Sequence, residues 1–263
     1  MAQNDRSHFD FTGNVVIVTG GTRGIGLAIA RAFSRSGADV IVCGRHAPSD
    51  GTAGTDAVFF EADVRDPEQA QQLIGEAVSR FGRLDVLVNN AGGSPAVPAA
   101  EASPRFVKSV VELNLLAPFF CSQAANAVMQ EQDSGGSIVN IGSVSGTRPS
   151  PGSAAYGAAK AGLANLTTTL AVEWAPRVRV NCLVGGLIAT EQAEGHYGGP
   201  DGLAAVAATV PLGRMGTPED IAGLCLVLAS PVTSYVSGAV LVANGGGERP
   251  AYLTALEEHL GPN

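Results

Sequence analysis

Lysine is almost missing from this 263-residue chain: of its 16 basic residues only Lys108 and Lys160 are lysines, against 24 acidic residues and a formal net charge of −8. Binding a nucleic-acid backbone needs clustered cations, so this balance argues against a nucleic-acid partner. It leaves room for a small anionic ligand held by a few arginines. Long apolar runs are missing too, and none reaches the ~18 residues needed to cross a bilayer. Met1 to Asp10 is polar and of mixed charge, without the apolar core of a secretory leader. The expectation is a cytoplasmic protein with no membrane contact. Cysteine is sparse. Cys43, Cys121, Cys182 and Cys225 sit apart inside apolar stretches, with no CxxC pair and no His/Cys cluster, which predicts buried free thiols and no metal site. What the chain has in excess is glycine, with 34 residues, about twice the usual share. No G-X-Y period accompanies it, and a hydrophobic content of 45% is too high for a disordered chain.

Short apolar runs alternate with helical patterns. Val15 to Val18 is a continuous run, as suits a parallel strand buried on both faces. Ile25, Ala28, Ile29, Ala32 and Phe33 then follow helical spacing up to Gly37. Further strands are expected at 40–42, 58–60, 84–88, 137–141, 178–184 and 239–242. Helices are expected at 66–81, capped by Asp66-Pro67, and at 104–129, 154–174 and 218–229. The repeated β-α order implies an α/β fold: a Rossmann-type doubly wound parallel sheet of about seven strands, flanked by helices on both faces. Residues 1–263 read as one domain, with a polar tail at 1–10, a substrate loop region at 191–210, of which Glu191 to Pro200 reads as a mobile loop, and a C-terminal tail at 248–263.

The first strand runs into Thr19-Gly20-Gly21-Thr22-Arg23-Gly24-Ile25-Gly26 and then a helix. Such glycines let a backbone turn sharply against a pyrophosphate, and the helix N-terminus offers it free N–H groups. The spacing differs from G-x-G-x-x-G, and a plain tight turn is the competing reading. The second strand ends in Cys43-Gly44-Arg45. An acidic residue there would bind a ribose 2′-hydroxyl, whereas an arginine accommodates a 2′-phosphate. With Arg23 as a second cation, the pattern favours NADP(H) over NAD(H); otherwise both are ordinary surface arginines. Tyr156 and Lys160 stand four apart on one helix face. An ammonium near a phenol favours its ionised form, which makes the two a sensible acid/base pair. Ser143 lies thirteen residues before Tyr156, past a strand end where ligands bind in open α/β sheets.

Together with Asp63, Asn89-Asn90-Ala91-Gly92, Asn114, Asn181 to Thr190, Pro211-Leu212-Gly213-Arg214, Pro218-Glu219-Asp220, Gly238 and Gly245-Gly246, these motifs resemble the short-chain dehydrogenase/reductase family over nearly the full length. The resemblance implies that Tyr156 exchanges a proton with the substrate oxygen and that Ser143 polarises it. Lys160 would hold the nicotinamide ribose and lower the Tyr156 pKa, and Asn114 would hold a water that relays protons. It further implies cofactor contacts from Gly20, Thr22, Arg23 and Ile25 at the phosphates, and from Arg45, Asp63 and Val64 at the adenosine end. Asn90, Ala91 and Gly92 would line the adenosine ribose, and Gly186, Ile188 and Thr190 the nicotinamide. A homotetramer or homodimer is implied as well. Two departures stand out. Gly185-Gly186 replaces the family's Pro-Gly, and Asn244 replaces its usual Asp before Gly245. The twelve-residue connection at 46–57 also leaves little room for the usual crossover helix.

The activity expected is interconversion of a secondary alcohol and a ketone by hydride transfer. The segments 93–97, 144–149 and 185–200 are the expected substrate wall, with Arg148, His196 and Tyr197 as candidate polar contacts. Their small and apolar residues fit a 3-oxoacyl thioester or another hydrophobic ketone, and many alcohols as well. The alternatives are a silent nicotinamide-nucleotide sensor, which would be expected to have lost a catalytic residue, and an NAD-dependent alcohol dehydrogenase of the same family. A nucleotide-sugar epimerase or dehydratase would need more chain than this.

Overall fold

Seven strands, rich in apolar residues, form one parallel sheet: β1 (Val15–Thr19), β2 (Asp39–Gly44), β3 (Val58–Glu61), β4 (Val86–Asn89), β5 (Gly136–Ser143), β6 (Val178–Gly185) and β7 (Val240–Ala243). They lie in the order β3-β2-β1-β4-β5-β6-β7. The computed structural model describes residues 9–47, 55–191 and 193–260. Alternation along β1 explains why its run is continuous: Val15 and Ile17 face one helical layer, while Val16 and Val18 face the other. The first layer is built on α2 (Pro67–Phe81), α4 (Ala117–Met129) and α5 (Ala154–Glu173), which bury Leu73, Cys121, Met129 and Leu170. The second is built on α1 (Gly24–Arg35) and α8 (Pro218–Ala229), which bury Ile29, Phe33, Ile221 and Leu228. All four cysteines are buried and free. Among the described residues no cluster could hold a metal ion, and no helix is long and apolar enough to cross a membrane.

The structure corrects the sequence reading at two places. The expected helix at 104–129 is interrupted. α3 (Pro104–Val111) passes into a π-helical turn at Glu112–Leu116 before α4. Pro118 has no N–H for the Asn114 carbonyl four residues back, and the Ala117 N–H bonds Glu112 O instead. The expected loop region at 191–210 carries two short helices, α6 (Ala193–Tyr197), within the segment read as mobile, and α7 (Pro200–Ala208) after it. Proline at the first position of α7 and the alanines behind it favour that outcome. In the 46–57 connection no described residue is helical; residues 48–54 lie outside the described residues. The C-terminal tail forms α9 (Ala251–Leu260).

Entry into α8 is fixed by a reciprocal cap. Asp220 N–H donates to Thr217 Oγ1 at 3.2 Å, and Thr217 N–H donates to Asp220 Oδ2 at 2.7 Å. Arg214 adds two bonds to the same carboxylate, at 2.6 and 3.0 Å. Arg214 and the Thr217 amide lower the Asp220 pKa to about 2. A carboxyl held below its ordinary 3.8 stabilises the fold above that value and loses the contribution as pH falls towards about 2. Asp220→Asn should cost about 1 kcal/mol at pH 7 in urea unfolding. The gap to the wild type should close between pH 4 and 2, and a gap that persists at pH 2 would count against the assignment.

Candidate active site

A cavity of about 1260 Å³ runs across the carboxyl ends of the strands. Every residue singled out above for cofactor binding or catalysis lines it, except Asn114, which is buried behind its wall. The cavity opens where β1 and β4, neighbours in the sheet, part. Thr19 and Asn90 clasp that parting. Thr19 Oγ1 accepts the N–H groups of Asn90 and Ala91, each at 3.0 Å, and Asn90 Nδ2 donates to the carbonyls of Thr19 at 2.9 Å and Gly20 at 3.2 Å. The Asn90 side chain is thus a brace for the glycine loop as well as a lining residue.

The loop tolerates no side chains at its tightest points. Gly20 has φ +64°, a left-handed conformation suited to glycine. A Cβ at Gly26 would stand 2.3 Å from Gly20 O and 2.4 Å from Asn90 Nδ2. Arg23 is the extended residue before α1 and makes no side-chain cap. The first N–H groups of the helix therefore face the cavity uncapped by that side chain.

At the β2–β3 end, Arg45 lies near Asp63. The Asp63 carboxylate is gripped by Arg65, whose Nε donates to both of its oxygens at 2.9 and 3.1 Å and whose Nη2 pairs with Oδ2. That grip, chiefly the Arg65 hydrogen bonds with a smaller pull from Arg45, holds the Asp63 pKa below its ordinary value. Arg65 also reaches Ser109 Oγ at 3.4 Å and lines the cavity. The sequence reading did not single it out; its nearness to Asp63 in the chain was the available signal.

At the other end, small residues bring the short helical turn that follows β5 (Val144–Gly146) against α5. A Cβ at Gly157 would meet Ser145 O at 2.5 Å, and one at Gly146 would meet Ala161 N at 2.7 Å. This close approach sets Ser143, at the end of β5, beside Tyr156 in the first turn of α5, near enough for the serine to bear on the phenol's pKa. Burial raises the Tyr156 pKa, and Ser143 offsets part of that shift. Lys160, one turn on, is 4% exposed, and its Nζ donates to Ile141 O at 2.8 Å and lies 5.7 Å from the Tyr156 ring centroid. Burial lowers the Lys160 pKa to about 8. Burial thus moves the two pKa values apart, the phenol's upwards and the ammonium's downwards.

Asn114 sits in the π-helical turn. Its amide donates to Gly93 O and Val110 O and accepts from Gly93 N–H, all at 2.9 Å. A Cβ at Gly92 would fall 2.7 Å from Asn114 Oδ1 and 3.2 Å from Lys160 Nζ, so both groups converge on one point of the wall. Behind them a buried ladder, not anticipated from the sequence, ties β4, β5 and α5 together. Asn89 Nδ2 donates to Asn140 Oδ1 at 2.8 Å, and Asn140 Nδ2 donates to Thr167 Oγ1 at 2.9 Å.

Gly185 ends β6 with open space around it, since a Cβ would meet only Ile221 and Ile188 at 3.6 and 3.8 Å. Gly186 has no such freedom: a Cβ would stand 2.7 Å from the Asn244 backbone. Of the expected substrate contacts, Arg148 and Tyr197 line the cavity. The His196 side chain lies outside the described residues.

The family model described as enoyl-(acyl carrier protein) reductase matches residues 20–248. The chain is 37% identical to a 3-oxoacyl-[acyl-carrier-protein] reductase of Synechocystis over 89% of this chain and 97% of that one. It is 36% identical to an L-rhamnose 1-dehydrogenase of Sphingomonas over 89% and 96%. Among solved structures, the aldohexose dehydrogenase of Thermoplasma acidophilum superposes with a TM-score of 0.84 at 29% identity, covering 89% of this chain and 94% of that one.

Burial of Lys160 has a thermodynamic signature. Its folded pKa of about 8 lies below the ordinary 10.5. Between those values the unfolded chain binds more protons at this group, so its contribution to stability grows as pH rises. Measured by urea unfolding from pH 7 to 10, the stability of wild type minus that of Lys160→Met should therefore move in favour of the wild type above pH 8. A flat difference would contradict the assignment.

Proposed function

The chain belongs to the short-chain dehydrogenase/reductase family and is an oxidoreductase, and on that premise we propose that it interconverts a secondary alcohol and a ketone with NADP(H). The observation that carries this reading is the convergence of Ser143, Tyr156 and Lys160 on one end of the cavity, with Asn114 behind them. The cavity fits a dinucleotide. The loop at Gly20 and Gly26 leaves no space for side chains, the start of α1 faces the cavity, and the β2 end presents Arg45 and no carboxylate of its own. A bound nicotinamide cofactor supplies the hydride chemistry.

The residues divide the remaining work. Gly20, Thr22, Arg23 and Ile25, at the start of α1, receive the pyrophosphate. Arg45, assisted by Arg23, takes the 2′-phosphate by charge-assisted hydrogen bonds. Asp63 and Val64 border the adenine, Asn90 to Gly92 the adenosine ribose, and Gly186, Ile188 and Thr190 the nicotinamide. Ser143 polarises the substrate oxygen, and Tyr156 gives it a proton or removes one in the reverse direction. Lys160 holds the ribose hydroxyls and favours the phenolate. Asn114 Oδ1 has acceptor capacity left beside Lys160, which supports a water-borne proton path there.

The named relatives point to different substrates, an acyl thioester and a sugar, so their names do not choose between them. The 3-oxoacyl thioester or hydrophobic ketone expected from the sequence remains one candidate. We place the protein in the cytoplasm, with no nucleic-acid or membrane partner. The edge strand β7 exposes Val240, Leu241 and Val242. An apolar open edge of that kind supports a homotetramer or homodimer.

Tyr156→Phe should lower turnover by about 10²- to 10⁴-fold and leave NADPH binding within about threefold by fluorescence titration; unchanged turnover would contradict the mechanism. Arg45→Ala should weaken NADP⁺ by about tenfold or more, the scale of one charge-assisted contact, with little effect on NAD⁺. Tighter binding of NAD⁺ than NADP⁺ by the unaltered protein would reject the role given to Arg45.

A further inference from the structure

A second cavity of about 190 Å³ adjoins the first and shares Val144, Arg148, Gly186 and Leu187 with it. Val144 follows Ser143 in the chain, so a molecule whose oxygen rests on Ser143 and Tyr156 extends naturally towards this side cavity. Its polar wall is an ion pair between residues a hundred apart in sequence, in which Arg148 Nη2 bonds Glu248 Oε1. Asn244 and Thr147 complete the polar lining. Arg148 Nη1 also donates to Pro149 O at 3.0 Å.

These walls discriminate between chemical classes. An anionic group entering here would meet Glu248 in contact with the cation it seeks. A saturated acyl chain would strip water from a half-buried ion pair and give nothing back. A hydroxyl group both donates and accepts, so it can bond the carboxylate and the guanidinium together. The main cavity repeats the chemistry nearer the reacting centre. Ser145, Ser150 and Ser153 line it, joined by contacts of 3.2 Å between the hydroxyls of Ser145 and Ser150 and 2.7 Å between those of Ser153 and Ser150.

We propose that the substrate is a polyhydroxylated alcohol or ketone, a sugar or polyol, whose distal hydroxyls are bound between Arg148 and Glu248. The inference rests on the alcohol–ketone reading above and narrows it away from acyl thioesters.

The test compares initial rates with saturating NADP⁺ or NADPH for hexoses, pentoses and their polyols, for acetoacetyl-CoA, for 3-oxo acids and for cyclohexanone. Thermal shifts of the NADP⁺ complex are recorded with the same compounds. The expected result is that a hydroxylated compound gives the highest kcat/KM and raises Tm. Arg148→Met should raise the KM of that compound by about tenfold, the worth of one or two hydrogen bonds. Preference for acetoacetyl-CoA or cyclohexanone would overturn the inference and leave the alcohol–ketone reading intact. So would preference for a 3-oxo acid, or the absence of any hydroxylated compound that shifts Tm. Hydroxylated compounds that shift Tm without any turnover across the panel would instead defeat the alcohol–ketone reading.

Discussion

The clasp between Thr19 and Asn90 holds the two strands at the point where the sheet parts, and the rest of the site is arranged around that opening. β1 and β4 lie side by side, yet β1 is followed by α1 in one layer, while the chain after β4 leads into α3 and α4, of which α4 packs in the other. A crevice must open between them at the carboxyl ends of the strands. Left to itself, such a parting would expose unpaired backbone groups of both strand ends. The Thr19 hydroxyl and the Asn90 amide satisfy several of them and fix the height of the glycine loop above the floor.

From that floor the two ends of the cavity acquire different electrostatic characters. Arg45 and the Arg65–Asp63 clamp mark one end, and a buried ammonium beside a buried phenol marks the other. Desolvation opposes charge on both Tyr156 and Lys160. The protein by itself therefore keeps the phenol protonated, the form that can donate to a carbonyl oxygen. In the mechanism we propose, forming the phenolate for the reverse direction calls on the positive charge of Lys160, which the Ile141 carbonyl holds in place. A chain that otherwise uses arginine keeps lysine here. The compact ammonium lies close beside Gly92, where an added Cβ would stand 3.2 Å from Lys160 Nζ.

Much of this was legible in the sequence because it is written locally. The strands are marked by short apolar runs, broken by a polar residue only at Asn140 in β5 and at Arg179 and Asn181 in β6, and the Tyr156–Lys160 pair is four residues apart on one helix. The glycine loop follows its strand directly. What was not legible depends on distant residues meeting. Nothing near Arg148 announces Glu248, and nothing near Asn140 announces Asn89 and Thr167. The π-helical turn at 112–116 was missed because hydrophobic spacing barely changes across one extra residue; Pro118 was the local cue. The region after β6 read as a loop because its glycines and polar residues outweigh two helices too short to show a period. The substrate wall likewise read as small and apolar, since the serines that line the cavity, among them Ser94, Ser143, Ser145, Ser150 and Ser153, are scattered singly in the sequence.

The account stands or falls on how a dinucleotide lies in the long cavity, and a crystal structure of the protein with NADP⁺ measures that directly. The predicted result has the 2′-phosphate within hydrogen-bond reach of the Arg45 guanidinium, the pyrophosphate at the start of α1, and the nicotinamide ribose between Tyr156 and Lys160. A cofactor bound in the opposite direction, or one whose nicotinamide lies away from Ser143 and Tyr156, would contradict it.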